Sequence, residues 1–170
     1  MNRPITPRGY RVLRNELRRL KAMRPELARA IEVARGHGDL SENADYDAAK
    51  EKSGLVEAKI RDLEAKISHA DVIDPRSLKN LQRVTFGVSV RIEDVDSGEA
   101  RVLSVVGADE SRVDKGWISL ESPLGRGLIG KETGEVVRVA LPGGAREFEI
   151  LEIFIDYEDS EELTSKGDEQ

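Results

Sequence analysis

Asp39 and Glu42 are the two residues of this chain whose type and spacing suggest chemistry. They stand three apart in Gly36-His37-Gly38-Asp39-Leu40-Ser41-Glu42-Asn43, so at a helix start they share a face. Two compatible readings follow. One is a capping box, with Asp39 as the cap and Glu42 reaching back to the cap's own amide. The other is a carboxylate pair offered to a divalent cation or to a basic surface. Hard cations such as Mg²⁺ take oxygen ligands, but two carboxylates make an incomplete shell, so something else must supply the rest. Asp45 and Asp47 add negative charge just behind. His37, between two glycines, reads first as a turn residue. A metal site built from it on an exposed loop would be poorly held.

The flanking elements explain how such a segment would be presented. Upstream, Tyr10, Leu13, Leu17, Leu20, Arg24, Leu27, Ile31 and Ala34 step by alternating threes and fours. Downstream, Tyr46, Ala49, Ser53, Val56, Ile60, Leu63, Ile67 and Ala70 do the same. This is the 3.5-residue seam of a coiled coil. The series mirror one another about Leu40, Ala34 answering Tyr46 and Leu20 answering Ile60. They predict an antiparallel helical hairpin with the Gly-His-Gly-Asp segment at its tip. Thr6-Pro7 starts the first helix, which runs to about Arg35 with a break or kink near Arg24 forced by Pro25. The second helix starts between Asp39 and Glu42 and ends near Ala70, and Gly54 could let it bend beside the kink. Helices of about 28 residues give an arm of roughly 40 Å.

Beyond Asp74-Pro75 the period changes to two. Val84, Phe86, Val88, Val90 and Ile92 predict a strand with one buried face. Asp96-Ser97-Gly98 reads as a turn, residues 101–106 as the return strand and residues 117–120 as a third strand. Ser122-Pro123 opens a short helix that Gly130 stops, and residues 136–141 and 148–155 form a last hairpin. The fold class is α+β in two domains: a coiled-coil hairpin over 1–75, a linker over 76–82, and a small, mainly antiparallel domain over 83–157. The tail over 158–170 is too charged to pack.

Charge is unevenly placed. Seven acids from Asp156 onward against Lys166 carry the whole net charge of −6. The first helix holds Arg8, Arg11, Arg14, Arg18, Arg19, Lys21, Arg24, Arg29 and Arg35 against Glu16, Glu26 and Glu32. That run suits a solvated helix face, or contact with RNA or an acidic protein surface. Without aromatic interleaving or a reading motif it does not predict sequence-specific DNA binding. The absence of cysteine excludes disulfides and thiolate metal sites. Neither a signal peptide nor a membrane-length apolar run is visible, so a cytoplasmic protein with no membrane partner is expected. The glycine-rich stretch ending at Lys131 lacks the order of a phosphate loop, since Glu132 follows the lysine. No nucleophile–base set is present.

Two separated blocks resemble the GreA/GreB family of bacterial transcript cleavage factors. One runs from His37 to Tyr46, with Ala48-Ala49-Lys50-Glu51 after it, and the other from Ile118 to Glu132, with Pro142-Gly143-Gly144 before the last strand. The Gly-Asp-Leu tip and the Leu-Ile-Gly-Lys ending are more similar to the GreA branch. The resemblance implies a coiled coil followed by an FKBP-like domain that docks at the rim of the secondary channel of RNA polymerase. It also implies that Asp39 and Glu42 help hold a second Mg²⁺ with its water at the polymerase active site, where backtracked nascent RNA is cut. On that reading the chain is a monomeric factor without turnover or a cofactor of its own, and its partners are the polymerase and the RNA 3′ end. Asn43 and Tyr46 match the tip and orient RNA or the carboxylates, Lys50 and Arg35 reach the extruded RNA, and Ser122 and Pro123 lie near the docking surface. The rivals are a channel-binding inhibitor of the same fold and, from another class, a prolyl isomerase or coiled-coil chaperone. The acidic tail exceeds the usual end of the family.

Overall fold

A computed structural model describes residues 2–38 and 43–159. Asp39, Glu42 and the tail from residue 160 lie outside the described residues. The chain forms two compact units, residues 11–69 and residues 1–10 with 70–170. No helix of the described residues is long and apolar enough to cross a membrane.

The first unit is helical. α1 (Pro7–Ala22), α2 (Arg24–Arg35) and α3 (Ala44–Ser68) follow the anticipated hairpin pattern. Every apolar position of the mirror seam within these helices is buried or half-buried, with Leu20 3%, Leu27 6%, Val56 6% and Ile60 1% exposed. The break predicted by Pro25 falls at Met23, and Pro25 sits in the first turn of α2, where its missing donor does least harm. Arg24 stands at a seam position yet is exposed. Its guanidinium donates to both oxygens of Glu57 on α3 at 2.8 and 3.0 Å, which holds the Glu57 carboxyl below its ordinary range. Lys21 pairs with Glu64 at 3.2 Å. Helix α3 runs on through Gly54, around which there is open space.

The cap of α3 differs from the expectation. The helix begins at Ala44 and Asn43 is its N-cap, so the capping role assigned to Asp39 is filled four residues later. The sequence pattern did not distinguish the candidates, because Asp, Ser and Asn all cap well.

The second unit is a five-stranded mixed sheet in the order β5-β4-β3-β7-β6. Its strands are β3 (Ser89–Asp94), β4 (Ala100–Val106), β5 (Trp117–Ser119), β6 (Val136–Leu141) and β7 (Gly144–Phe154), with α4 (Pro123–Leu128) packed on one side. The apolar alternation from Val84 holds as burial but not as strand. Val84 and Val88 are both 0% exposed, yet Gly87 turns the chain at φ 91° and pairing starts only at Ser89. A side chain at Gly87 would also crowd the Pro75 ring at 3.1 Å. The third strand is present but runs parallel to β4, because the chain crosses a loop before returning along it. Leu78 and Leu81, in the stretch read as a linker, pack against the core.

Sequence reading missed a small parallel pair, β1 (Arg3–Ile5) with β2 (Ala70–Val72). It is fixed to the sheet unit by Glu110. Thr6 caps α1, its hydroxyl accepting from the Gly9 amide at 3.1 Å. The same hydroxyl donates to Glu110, whose other oxygen accepts from the amides of Thr6 (3.1 Å) and Gly107 (2.7 Å). A side chain at Gly107 would meet the Pro4 carbonyl at 2.5 Å, so glycine is required for this approach. Arg8, 5% exposed, lies over the Trp117 ring at 3.5 Å and donates to the Glu158 carbonyl at 2.8 Å.

Burial raises the Glu110 carboxyl above its ordinary 4.5, against the pull of its hydrogen bonds and Arg8. The unfolded chain therefore releases this proton at lower pH than the folded one. The stability it contributes is complete below 4.5 and declines as pH rises through the folded value. Melting curves of the wild type and Glu110→Gln at about pH 4 and about pH 7 will show the wild type losing ground to the variant as pH rises. A constant difference would mean that Glu110 titrates alike in both states.

Candidate functional site

The tip is built from the end of α2 and the start of α3. Helix α2 closes in tight turns: the Gly36 amide bonds the Glu32 and Val33 carbonyls, and the His37 amide bonds that of Ala34 at 3.1 Å. Gly38 follows at φ 109°, a left-handed backbone suited to glycine. On the far side Asn43 takes extended backbone and its Oδ1 accepts from the Tyr46 amide at 3.0 Å.

Three of the anticipated contact residues come together here. The half-buried Tyr46 ring has the Lys50 ammonium 5.3 Å and the Arg35 guanidinium 6.0 Å from its centroid. Two cations therefore flank one aromatic ring beside the segment that carries Asp39 and Glu42. Such a group can hold an anionic chain by charge and a base by its ring face. His37 is drawn instead toward Asp45, with Nδ1 and Oδ2 at 3.5 Å. The Asn43 side chain is engaged between the helices: Nδ2 donates to the Ala34 carbonyl at 2.5 Å.

Asp39 and Glu42, the proposed metal-facing pair, lie outside the described residues. Among the described residues no group of three or more His, Cys, Asp or Glu could hold a metal ion. Two carboxylates supply hard oxygen donors of the kind Mg²⁺ takes, in a number far short of its usual six.

A second feature surrounds Ser122 and Pro123. Ser122 caps α4, accepting from the Gly125 amide at 3.1 Å and donating to the Ser119 carbonyl at 2.6 Å. Pro123 is exposed in the first turn. Beside them Thr85, Phe86, Leu120, Arg126 and Ile129 line an apolar cleft of about 390 Å³. Phe86 is its one aromatic, and Phe148 is 3% exposed in the core, so the cleft lacks the aromatic walls of an isomerase pocket. Sequence reasoning missed the cleft because Phe86 counted there as a strand residue.

Gly125 sets the depth of α4 against β5, for a Cβ there would overlap the Ser119 carbonyl oxygen. Backbone cannot yield as a flexible side chain can. Gly125→Ala should therefore cost about 3 kcal/mol in chemical denaturation. A loss below roughly 0.5 kcal/mol, the size of an ordinary surface change, would show that the helix moves aside freely.

Residues 3–72 match the family described as "Transcription elongation factor, N-terminal", and residues 79–154 match "Transcription elongation factor, GreA/GreB, C-term". A Transcription elongation factor GreA of Ralstonia nicotianae is 50% identical over 148 residues, spanning 86% of this chain and 94% of that protein. The Transcription elongation factor GreA of Vibrio parahaemolyticus is 49% identical over 147 residues, with the same coverage of 86% and 94%. Among solved structures, GreA factor homolog 1 of Thermus thermophilus is 29% identical, with a TM-score of 0.42, over 90% of this chain and 99% of that one.

Proposed function

We propose a function that starts from a plain fact of membership: the chain belongs to the GreA/GreB family of transcription elongation factors. It is a GreA-type elongation factor that acts on RNA polymerase. Beyond this, our reading is that the helical hairpin enters the secondary channel of the polymerase and stimulates cleavage of backtracked nascent RNA. The reaction is the polymerase's own, and this chain contributes part of its environment.

The observation that carries this reading is the grouping of Arg35 and Lys50 about the Tyr46 ring, next in sequence to the segment holding Asp39 and Glu42. The cations suit the phosphates of an extruded RNA 3′ end, and the ring suits one of its bases. Asp39 and Glu42 would supply the oxygen donors that a second Mg²⁺ lacks when held by polymerase and RNA alone. Such a metal supplies a bound water activated for attack on the phosphodiester. Ser122 and Pro123, with the apolar cleft beside them, are the surface we assign to docking on the channel rim. The factor is assigned as a monomer in the cytoplasm.

Stalled, backtracked elongation complexes test this. Asp39→Ala and Glu42→Ala should each reduce stimulated RNA cleavage by at least about a hundredfold, a scale ordinary for a lost charged contact to the reacting centre. Both variants should still compete with the wild type for the polymerase. Full stimulation by both would overturn the reading.

A further inference from the structure

Asn43 has both ends of its amide occupied, and the two ends serve different helices. Oδ1 accepts from the Tyr46 amide at 3.0 Å, so it satisfies one of the orphan donors at the start of α3. Nδ2 donates to the Ala34 carbonyl at 2.5 Å, one of the orphan acceptors at the end of α2. In an uninterrupted helix that carbonyl would take the Gly38 amide. Here Gly38 turns away at φ 109°, its amide directed at the Arg35 carbonyl instead. The Ala34 carbonyl accepts from the His37 amide and from Asn43 Nδ2. Ala34 is 3% exposed, so this carbonyl has little access to water.

Capping alone does not explain the residue type. Asp and Ser cap about as well as Asn. A hydroxyl both accepts and donates through one atom, as Ser122 does, whereas a carboxamide carries its acceptor and its donor on separate atoms and so reaches two helices from one short side chain. We propose that Asn43 is a positioning residue: a single double cap that ties the last turn of α2 to the first turn of α3, and so fixes the two points between which residues 39–42 are carried. It acts on the reaction through this spacing, with its amide oriented by the two helices it joins. The proposal rests on the cleavage reading above for its consequence, but the tie itself stands on these two hydrogen bonds.

Asn43→Asp separates the roles. It keeps the acceptor for Tyr46, even improves it at a helix N-terminus, and removes the donor to Ala34. Asn43→Ser, with a hydroxyl too short to serve both helices, removes it without adding charge. Two measurements on the full chain decide the matter. Amide hydrogen exchange should show protection of Tyr46 retained in both variants, with faster exchange at His37 and Gly38. Cleavage in backtracked complexes should show a maximal stimulated rate about tenfold lower, the scale of one lost hydrogen bond, while the half-saturating factor concentration changes less than about twofold. If exchange at His37 and Gly38 matches the wild type, or if both variants stimulate fully, Asn43 is only a helix cap and the proposal fails. A wild type that stimulates no cleavage would sink the functional reading instead, and the exchange data would still decide whether the tie exists.

Discussion

The structure depends first on a narrow apolar seam. Among the described residues of the helical unit, burial is concentrated in side chains such as Leu20, Leu27, Val56 and Ile60, and these hold the hairpin together. A seam of this kind tolerates an interruption only where it has nothing apolar to lose. The proline break falls at Met23, beside the one seam position that is charged, Arg24. There the contact across the helices is made by the Arg24–Glu57 pair at the surface instead. Exposed pairs contribute little to stability, but a two-bonded guanidinium–carboxylate contact fixes register.

The sheet unit has an equivalent dependence on one buried acid. Glu110 collects the hydroxyl and amide of Thr6 and the amide of Gly107, and Gly9 and Gly107 are glycines because it and Pro4 come so near. The start of α1 is thereby capped and anchored by the same residue, Thr6. Arg8, lying over Trp117 and bonded to the Glu158 carbonyl, adds a second fastening one turn on.

What could be read in the sequence follows from how local the cause is. The hairpin seam, the Thr6 and Ser122 caps, the proline break and the β6–β7 hairpin are each set by residues a few positions apart. Non-local features were hidden. Thr6 and Glu110 are 104 residues apart, and no pattern links them. The β1–β2 pair uses three-residue strands too short to show a period. The parallel direction of β5 is decided by the loop that precedes it. At Gly87 the alternation was true as burial and false as pairing, since the turn there interrupts the ladder without disturbing which side chains face the core. At the tip, the sequence identified Arg35, Tyr46 and Lys50 but left Asn43 as one tip residue among several. Its bond to the Ala34 carbonyl spans nine residues around a turn.

The placement of residues 1–10 with residues 70–170 has a consequence for the order in which the molecule is made. During synthesis residues 3–10 emerge before the hairpin, whereas their partners Glu110, Tyr157 and Glu158 emerge after it. The hairpin between them closes through contacts local in sequence and so folds early and fast. At about 5–20 residues per second, Thr6 waits on the order of 5–20 seconds for Glu110. Through that interval the β1–β2 pair, complete once Val72 has emerged, lacks the buried acid that fixes it to the sheet unit.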